Sequence, residues 1–377
     1  MEKLLILGVN TRPLSCSAQK LGYIIYSASY FATKDFNCYY KEKHILHQKP
    51  NNSCGYFAHS YSEADLKSLC VEWIDEVDHI ITYTGISPEN FSSSKILGNI
   101  KIENIENKFQ LHKKLKKKFN VPETFLLSDI DEAHEINQQY PEKEFLIKPI
   151  KGSGGYGIKK LDEILYENVS FSEEFILQEF ISGENVSASI LSTGKEAKPL
   201  ISSRQIIGEG CSGPGSEFIY CGNITPYPGD AENMKKIACN VVEELSLIGS
   251  NGVDMIIKDD EIHIVEVNPR IQGTFECAEA SLGINLMEAH INACNGKLMK
   301  INEPEQFAIK KILYAPQRCM VGEVNFKGVY DLPLKSAIIE KGEPIVTLLN
   351  CGKTPAEVIK KTNDLINKVK KNLVPLK

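Results

Sequence analysis

No two of the eleven cysteines are spaced as Cys-x-x-Cys, and none pairs with a histidine as Cys-x-x-His. A zinc-site signature is therefore absent. The cysteine count is odd and the chain is long, which reads as free thiols in a reducing compartment. No apolar run approaches the about 20 residues that a membrane helix needs. The first apolar stretch, residues 4–7, is too short for a secretory leader, so a cytoplasmic protein is expected. Basic charge is also in short supply. A net charge of −6 argues against a general nucleic-acid binder, because attraction to phosphate needs a basic surface. The one basic run (Lys113, Lys114, Lys116, Lys117, Lys118) reads as a solvated helix face. Two nucleotide signatures are missing as well. Gly8-Val9-Asn10-Thr11-Arg12 stands where a dinucleotide fold would carry Gly-x-Gly-x-x-Gly, and no Walker A lysine follows a glycine loop.

What remains is the composition of an ordinary globular enzyme, with 42% hydrophobic and 24% charged residues. A chain of 377 residues suggests two or three units. Short apolar runs at residues 4–7, 23–27 and 79–83 alternate with helix-like stretches, the pattern of an open parallel α/β sheet. This first domain is placed at residues 1–104. Its strand ends favour ligands, so Asn10, Thr11 and Arg12 are substrate candidates. A basic amphipathic helix is expected over 107–119 and a longer one over 232–247. Between them lie strands at 144–150, 158–161, 175–180, 184–191 and 198–207. A strand pair at 253–257 and 261–267 precedes a helical stretch at 278–295. After Pro304 the texture changes to a small α+β unit, residues 305–377.

The strongest local feature is Lys148 followed by Lys151, Gly152, Ser153, Gly154, Gly155, Tyr156 and Gly157. Glycines let a backbone approach a phosphate closely, and successive N–H groups make an anion nest. The Lys148 ammonium would neutralise a phosphate oxygen. Because a strand follows the glycines, the loop reads as a hairpin lid over phosphates. A second feature is Asp254, then Glu266-Val267-Asn268-Pro269-Arg270. Side chains alternate along a strand, so Glu266 and Asn268 share a face. A three-residue turn at 259–261 would set Asp254 opposite Glu266. Two carboxylates and an amide among apolar neighbours call for a cation, and magnesium suits them. Arg270 follows, with a planar fork suited to an acyl phosphate. A third feature is the apolar strand ending at Gln178, Glu179, Phe180 and Ile181, with Glu184 after it. Arg204 is a further candidate for phosphate or substrate carboxylate, and Arg318 a weaker one. His263, Cys211 and Cys221 read as incidental.

In this order the features resemble the ATP-grasp superfamily, and most closely its carboxylate–amine ligases related to biotin carboxylase. The resemblance spans about residues 4–369. It implies an N-terminal pre-ATP-grasp α/β domain, then an ATP-grasp domain at 105–304 with a lid lobe at about 120–182, then the small terminal unit. It implies ATP and Mg2+ as cofactors, with Mn2+ able to substitute. Lys108, Lys148 and the loop Gly152–Gly157 correspond to the phosphate-binding lysines and lid. Gln178 and Ile181 correspond to the residues whose backbones hold adenine, and Glu184 to the ribose acid. Asp254, Glu266 and Asn268 correspond to metal ligands, and Arg270 to the arginine near the acyl phosphate. The family often has glutamate where Asp254 stands. Biotin carboxylase has an acid, used with bicarbonate, where this chain has Thr274, and Glu276 lies two residues further on. That departure favours an organic carboxylate over bicarbonate.

The expected activity is therefore ATP-dependent ligation of a small-molecule carboxylate to an amine, with release of ADP and phosphate. A bicarbonate-using carboxylase and a non-catalytic ATP-binding module are the alternatives. A homodimer is the commonest assembly for such enzymes, but no residue pattern selects it.

Overall fold

The computed structural model describes residues 1–152, 154–164, 174–210 and 215–376. The chain begins with a four-stranded parallel sheet, ordered Lys41–Leu46, Ile24–Phe31, Lys3–Gly8 and His79–Thr82. Leu4, Leu5, Ile6 and Leu7 are all fully buried, which explains the unbroken apolar run: both faces of this strand are covered. The Lys41–Leu46 strand escaped the sequence pattern. Its residues are charged and only half-buried, as suits a sheet edge that must not pair with another chain. Helix Arg12–Gln19 starts with Pro13 in its first turn, where a missing N–H costs nothing.

The centre is an eight-stranded sheet. From one edge its strands are Glu261–Asn268, Ile248–Lys258, Glu184–Thr193, Ala197–Ile207, Tyr220–Thr225, Phe307–Tyr314, Pro344–Gly352 and Val329–Tyr330. Strand Phe307–Tyr314 pairs directly with Tyr220–Thr225, so hydrogen bonding runs straight through position 304. Helix Glu232–Glu244 covers one face. Its buried Met234, Ala238, Val241 and Val242 recur at helical spacing and meet Val186, Ala188 and Val253 of the sheet. The helix expected over 278–295 is two helices, Phe275–Leu282 and Leu286–Cys294. Gly283, at φ 65°, ends the first in the left-handed conformation. Asn285 caps the second by accepting from the Glu288 N–H. The basic helix is shorter than the pattern implied, ending at Leu115.

A separate four-stranded sheet forms the lid lobe, ordered Thr124–Leu127, Phe175–Glu179, Phe145–Pro149 and Lys159–Lys160. A last small sheet joins Ile338–Ile339, Cys319–Val321 and Leu373–Pro375.

Two expectations are corrected. The hairpin turn after Ile248–Lys258 has two residues, not three: Lys258 pairs with Glu261, and Asp259 and Asp260 take φ of 50° and 66°. Positive φ at both central positions suits the twist of a tight hairpin. A two-residue turn alone would set Asp254 against Val265. A bulge between Asp254 and Met255 absorbs one residue, so Asp254 pairs with Glu266 after all. The second correction concerns the thiols. Cys16, on the first helix, and Cys38, in the loop after strand Ile24–Phe31, form a disulfide. Their 22-residue separation carried no local signal. Among the described residues, no helix is long and apolar enough to cross a membrane.

Candidate active site

A cavity of about 950 Å³ lies where the lid lobe, the central sheet and the first domain meet. Lys148 enters it from strand Phe145–Pro149, with its side chain buried. Its Nζ donates to Gln178 Oε1 at 2.6 Å, and Gln178 Nε2 donates to Thr124 Oγ1 at 3.0 Å. Burial, with the nearby Lys108 charge, pushes the Lys148 ammonium down to about 8. Lys108 opens the helix Lys108–Leu115, which Asn107 caps by accepting from the Gln110 N–H. Its Nζ donates to the Gly152 carbonyl at 3.0 Å and lies 3.5 Å from Glu266 Oε1. Two ammonium groups thus face one pocket.

Opposite them stand Asp254 and Glu266, paired across the hairpin. Asn268 Nδ2 donates to Asp254 Oδ2 at 3.0 Å, and Gln272 Nε2 donates to Asp254 Oδ1 at 3.2 Å. Burial, then the facing Glu266 charge, pushes the Asp254 carboxyl up to about 6. The strain of two facing acids is what a bound cation relieves. The donor set is two carboxylates and the free amide oxygen of Asn268. Among the described residues, no third His, Cys, Asp or Glu completes a metal cage. That fits magnesium, which keeps one or two carboxylates and takes its other ligands from phosphates and water.

The lid loop closes over this centre. Gly154 accepts from the Tyr220 N–H at 3.0 Å. Gly155 has φ of 82°, and a Cβ there would stand 1.8 Å from the Phe218 carbonyl oxygen. Only glycine allows that approach. Gly154, Gly155 and Tyr156 line the cavity, whereas Lys151, Gly152 and Gly157 do not. Lys151 instead reaches Glu103 at 2.9 Å in solvent. Ser153 and Cys211 lie outside the described residues. In the hinge, the Glu179 and Phe180 amides are taken by the Glu123 and Glu144 carbonyls at 2.8 and 2.7 Å. The buried Ile181 lines the cavity just after them. Glu184 is not brought in: it is exposed and accepts from Tyr227 Oη at 2.7 Å, while its strand neighbour Asn185 lines the cavity.

Arg270 lines the cavity beyond the acids, its Nε 3.8 Å from Glu106 Oε1. Asn10 also lines it, but Arg12 is not brought there. The Arg12 guanidinium is buried against Asp331 at 2.7 Å and Glu276 at 2.8 Å, so it holds domains together. Arg204 is likewise not brought in: Gln205 and Ile207 line the cavity, and Arg204 acts on Tyr227 behind the sheet. Arg318 pairs with Glu340 at 3.2 Å, also outside the lining. The buried Thr274 Oγ1 lies 3.1 Å from Ser189 Oγ. Glu276 turns away to Arg12 and Lys310, at 2.8 and 3.1 Å, so it does not replace the missing acid.

Among the lining residues that no motif flagged are Tyr83, Gln272, Tyr220, Lys310 and Asp331. Gln272 stands two positions after Arg270, and the spacing alone could have flagged it. The other four carry no motif.

The ATP-grasp domain family matches residues 105–274, the segment that supplies both lysines, the lid, the hinge and the acids. The chain carries an ATP-grasp domain. This ATP-grasp chain is 34% identical over 363 residues to an uncharacterized protein of Methanocaldococcus jannaschii, covering 92% of this chain and 88% of that one. It is 32% identical over 186 residues to the tyramine–L-glutamate ligase of the same organism, covering 48% of this chain and 53% of the relative. An L-amino acid ligase from Bacillus licheniformis shares the fold of the ATP-grasp chain. It superposes with a TM-score of 0.68 at 15% identity, over 100% of this chain and 99% of that one.

Proposed function

We propose that this ATP-grasp chain uses ATP and Mg2+ to phosphorylate a small-molecule carboxylate and passes the acyl group to an amine. The observation that carries the reading is the convergence of Lys108, Lys148, Asp254, Glu266, Asn268 and Arg270 on one lid-covered cavity. The family match supports the nucleotide half of the reading, and the tyramine–L-glutamate ligase and L-amino acid ligase relatives support the amine half.

In this reading Ile181 holds adenine through its backbone, while Glu184, outside the lining and bonded to Tyr227, is left out of the ribose site. Lys108 and Lys148 neutralise the phosphates, with the Gly154 and Gly155 backbone over them. Asp254, Glu266 and the Asn268 amide oxygen would hold a magnesium ion, which would supply charge screening for the transferring phosphate. A substrate carboxylate oxygen attacks the γ-phosphorus, the bond to the bridging oxygen breaks, and ADP leaves. Arg270 is placed to hold the acyl phosphate. The amine nitrogen then attacks the carbonyl carbon, phosphate departs, and the nitrogen gives up a proton. The work is positioning and charge stabilisation, and the closed lid keeps water from the acyl phosphate. We retain the division at 1–104, 105–304 and 305–377 as a division of labour, with chemistry in the middle part and the outer parts completing the cavity.

The test is ADP release across a panel of carboxylates and amines. Lys148→Ala and Glu266→Ala should each lower substrate-dependent release at least about 100-fold, the scale for removing a group that stabilises transition-state charge. Turnover like the wild type in either variant would remove the phosphate-site assignment. A requirement for bicarbonate would favour a carboxylase instead.

A further inference from the structure

The lid sheet carries a chain of buried polar groups that runs away from the cavity. Gln178 and Thr124 are direct cross-strand partners, and Lys148 stands on the other neighbouring strand, diagonal to Gln178. Long side chains reach one another across such a diagonal. All three are buried. Lys148 and Gln178 line the cavity, whereas Thr124 lies behind its wall. The donations from Lys148 to Gln178 and from Gln178 to Thr124 continue in a third: Thr124 Oγ1 donates to the Pro122 carbonyl at 2.9 Å. The His112 ring bonds the same carbonyl from the helix that Lys108 opens. One backbone oxygen thus anchors the elements that carry both phosphate-facing lysines.

Donor and acceptor capacity leaves this chain one direction. An ammonium only donates, so Gln178 must turn its oxygen to Lys148. Its amide nitrogen then points at Thr124 and needs an acceptor there. The Thr124 hydroxyl has one proton, and the Pro122 carbonyl takes it, which leaves a lone pair for Gln178. Each group fixes the next. A buried donor without an acceptor is strongly disfavoured, so the amide resists turning over. The anchorage also leaves the lysine charge intact, because Gln178 is a neutral amide. An acid at that position would hold the ammonium as an ion pair and compete with phosphate. Lys148 is therefore held in place without being neutralised.

We propose that Thr124 is a positioning residue for Lys148: from behind the cavity wall it sets the Gln178 amide, and the amide holds the ammonium where it meets a phosphate. The proposal rests on the nucleotide half of the reading above and adds a residue that touches no substrate. Without the hydroxyl the amide is free to rotate. The ammonium then keeps its charge and loses its fixed station, so nucleotide affinity falls.

The test uses the whole chain, with Mg-ADP and a non-hydrolysable Mg-ATP analogue as probes in calorimetry. Thr124→Val keeps the shape and removes the hydroxyl, while Thr124→Ser keeps the hydroxyl and removes a methyl. The first should weaken nucleotide binding at least about fivefold and the second by less than about twofold, the scale of one hydrogen bond. A mere packing role would give the reverse order. In a Gln178→Leu background, itself weakened, Thr124→Val should add less than about twofold, because the link to Lys148 is already cut. Without nucleotide, a crystal structure of Thr124→Val should show the Lys148 ammonium moved off its 2.6 Å contact. Thr124→Cys, whose thiol is a weak acceptor, repeats these measurements if Thr124→Val fails to fold. Wild-type affinity in Thr124→Val, an undiminished loss in the Gln178→Leu background, or an ammonium still seated would overturn the proposal and spare the nucleotide reading. A displaced ammonium in a chain whose wild type binds no nucleotide would sink that reading and spare the positioning role.

Discussion

The nucleotide end of the cavity is drawn from short segments between residues 108 and 272, while the far end draws on residues 9–58, 83 and 310–347. The first end sets Lys108, Lys148 and Arg270 around a carboxylate pair, with Lys108 reaching Glu266 at 3.5 Å. The second is largely apolar, and its charges are closed into the buried pairs Arg12–Asp331 and Lys310–Glu276. The difference follows from the tasks. Triphosphate and magnesium are the same in every such reaction, so a few side chains on one strand and one hairpin suffice to hold them. The walls of the far end come from elements remote in the chain that the fold brings to that edge.

Several changes would test this contrast. The largest effect is expected at Arg12, the buried hub of the far end. Arg12→Ala leaves Asp331 and Glu276 without their guanidinium, and unfolding by denaturant should show a loss of about 3–5 kcal/mol. The exposed pair at the other end is the control. Lys151→Ala should change stability by less than about 1 kcal/mol and leave ADP release intact. If the two variants were equally stable, the far end would not be a preformed frame.

Next is the lid. Gly155→Ala adds a methyl against the Phe218 carbonyl at a positive φ. The loop must shift off its seat, and kcat should fall about tenfold or more, the scale of about 1–2 kcal/mol of left-handed strain plus the clash. Folding stability should change less, because the rest of the lid sheet is untouched. A wild-type kcat would mean that the seated loop is not the working position.

A smaller effect concerns pH. Lys148 is charged below about 8 and loses its proton as pH rises through that value, so nucleotide affinity in the free protein should weaken on the alkaline side. Bound phosphate favours the charged form, and binding near pH 8 should therefore take up a proton, seen as a buffer-dependent heat. Lys148→Arg should flatten this alkaline limb, because a guanidinium stays charged. An unchanged limb would place the titrating group elsewhere. The smallest change expected is Tyr227→Phe, which removes the hydroxyl bonded to Glu184 outside the cavity lining. ATP affinity should stay close to the wild type, and a loss on the scale of one hydrogen bond, about 1 kcal/mol, would bring Glu184 into the nucleotide site.

The nucleotide site was legible because its parts are local. Lys148 and the glycines sit within ten residues of one another, and Asp254, Glu266 and Asn268 fall on one hairpin. Even there the reasoning needed correction: the right pair, Asp254 and Glu266, arises from a two-residue turn plus a bulge, because the turn type and the bulge trade a residue between them. Arg12 and Arg204 show the opposite failure. Each is an arginine at a plausible strand end, yet burial against Asp331 and Glu276 claims one, and strand alternation turns the other away.

The lid glycines, the two lysines and the acid hairpin are determined by the sequence itself, because phosphate and metal binding need particular residue types a few positions apart. Only the tertiary structure decided that Asp331, Lys310 and Tyr30 share a cavity with them. Their long separations in sequence leave no periodic trace: the eight-stranded sheet brings in Lys310 and, past its edge strand Val329–Tyr330, Asp331, while Tyr30 comes from strand Ile24–Phe31 of the first domain. The Cys16–Cys38 disulfide has the same origin, since a pairing through space leaves no mark on spacing.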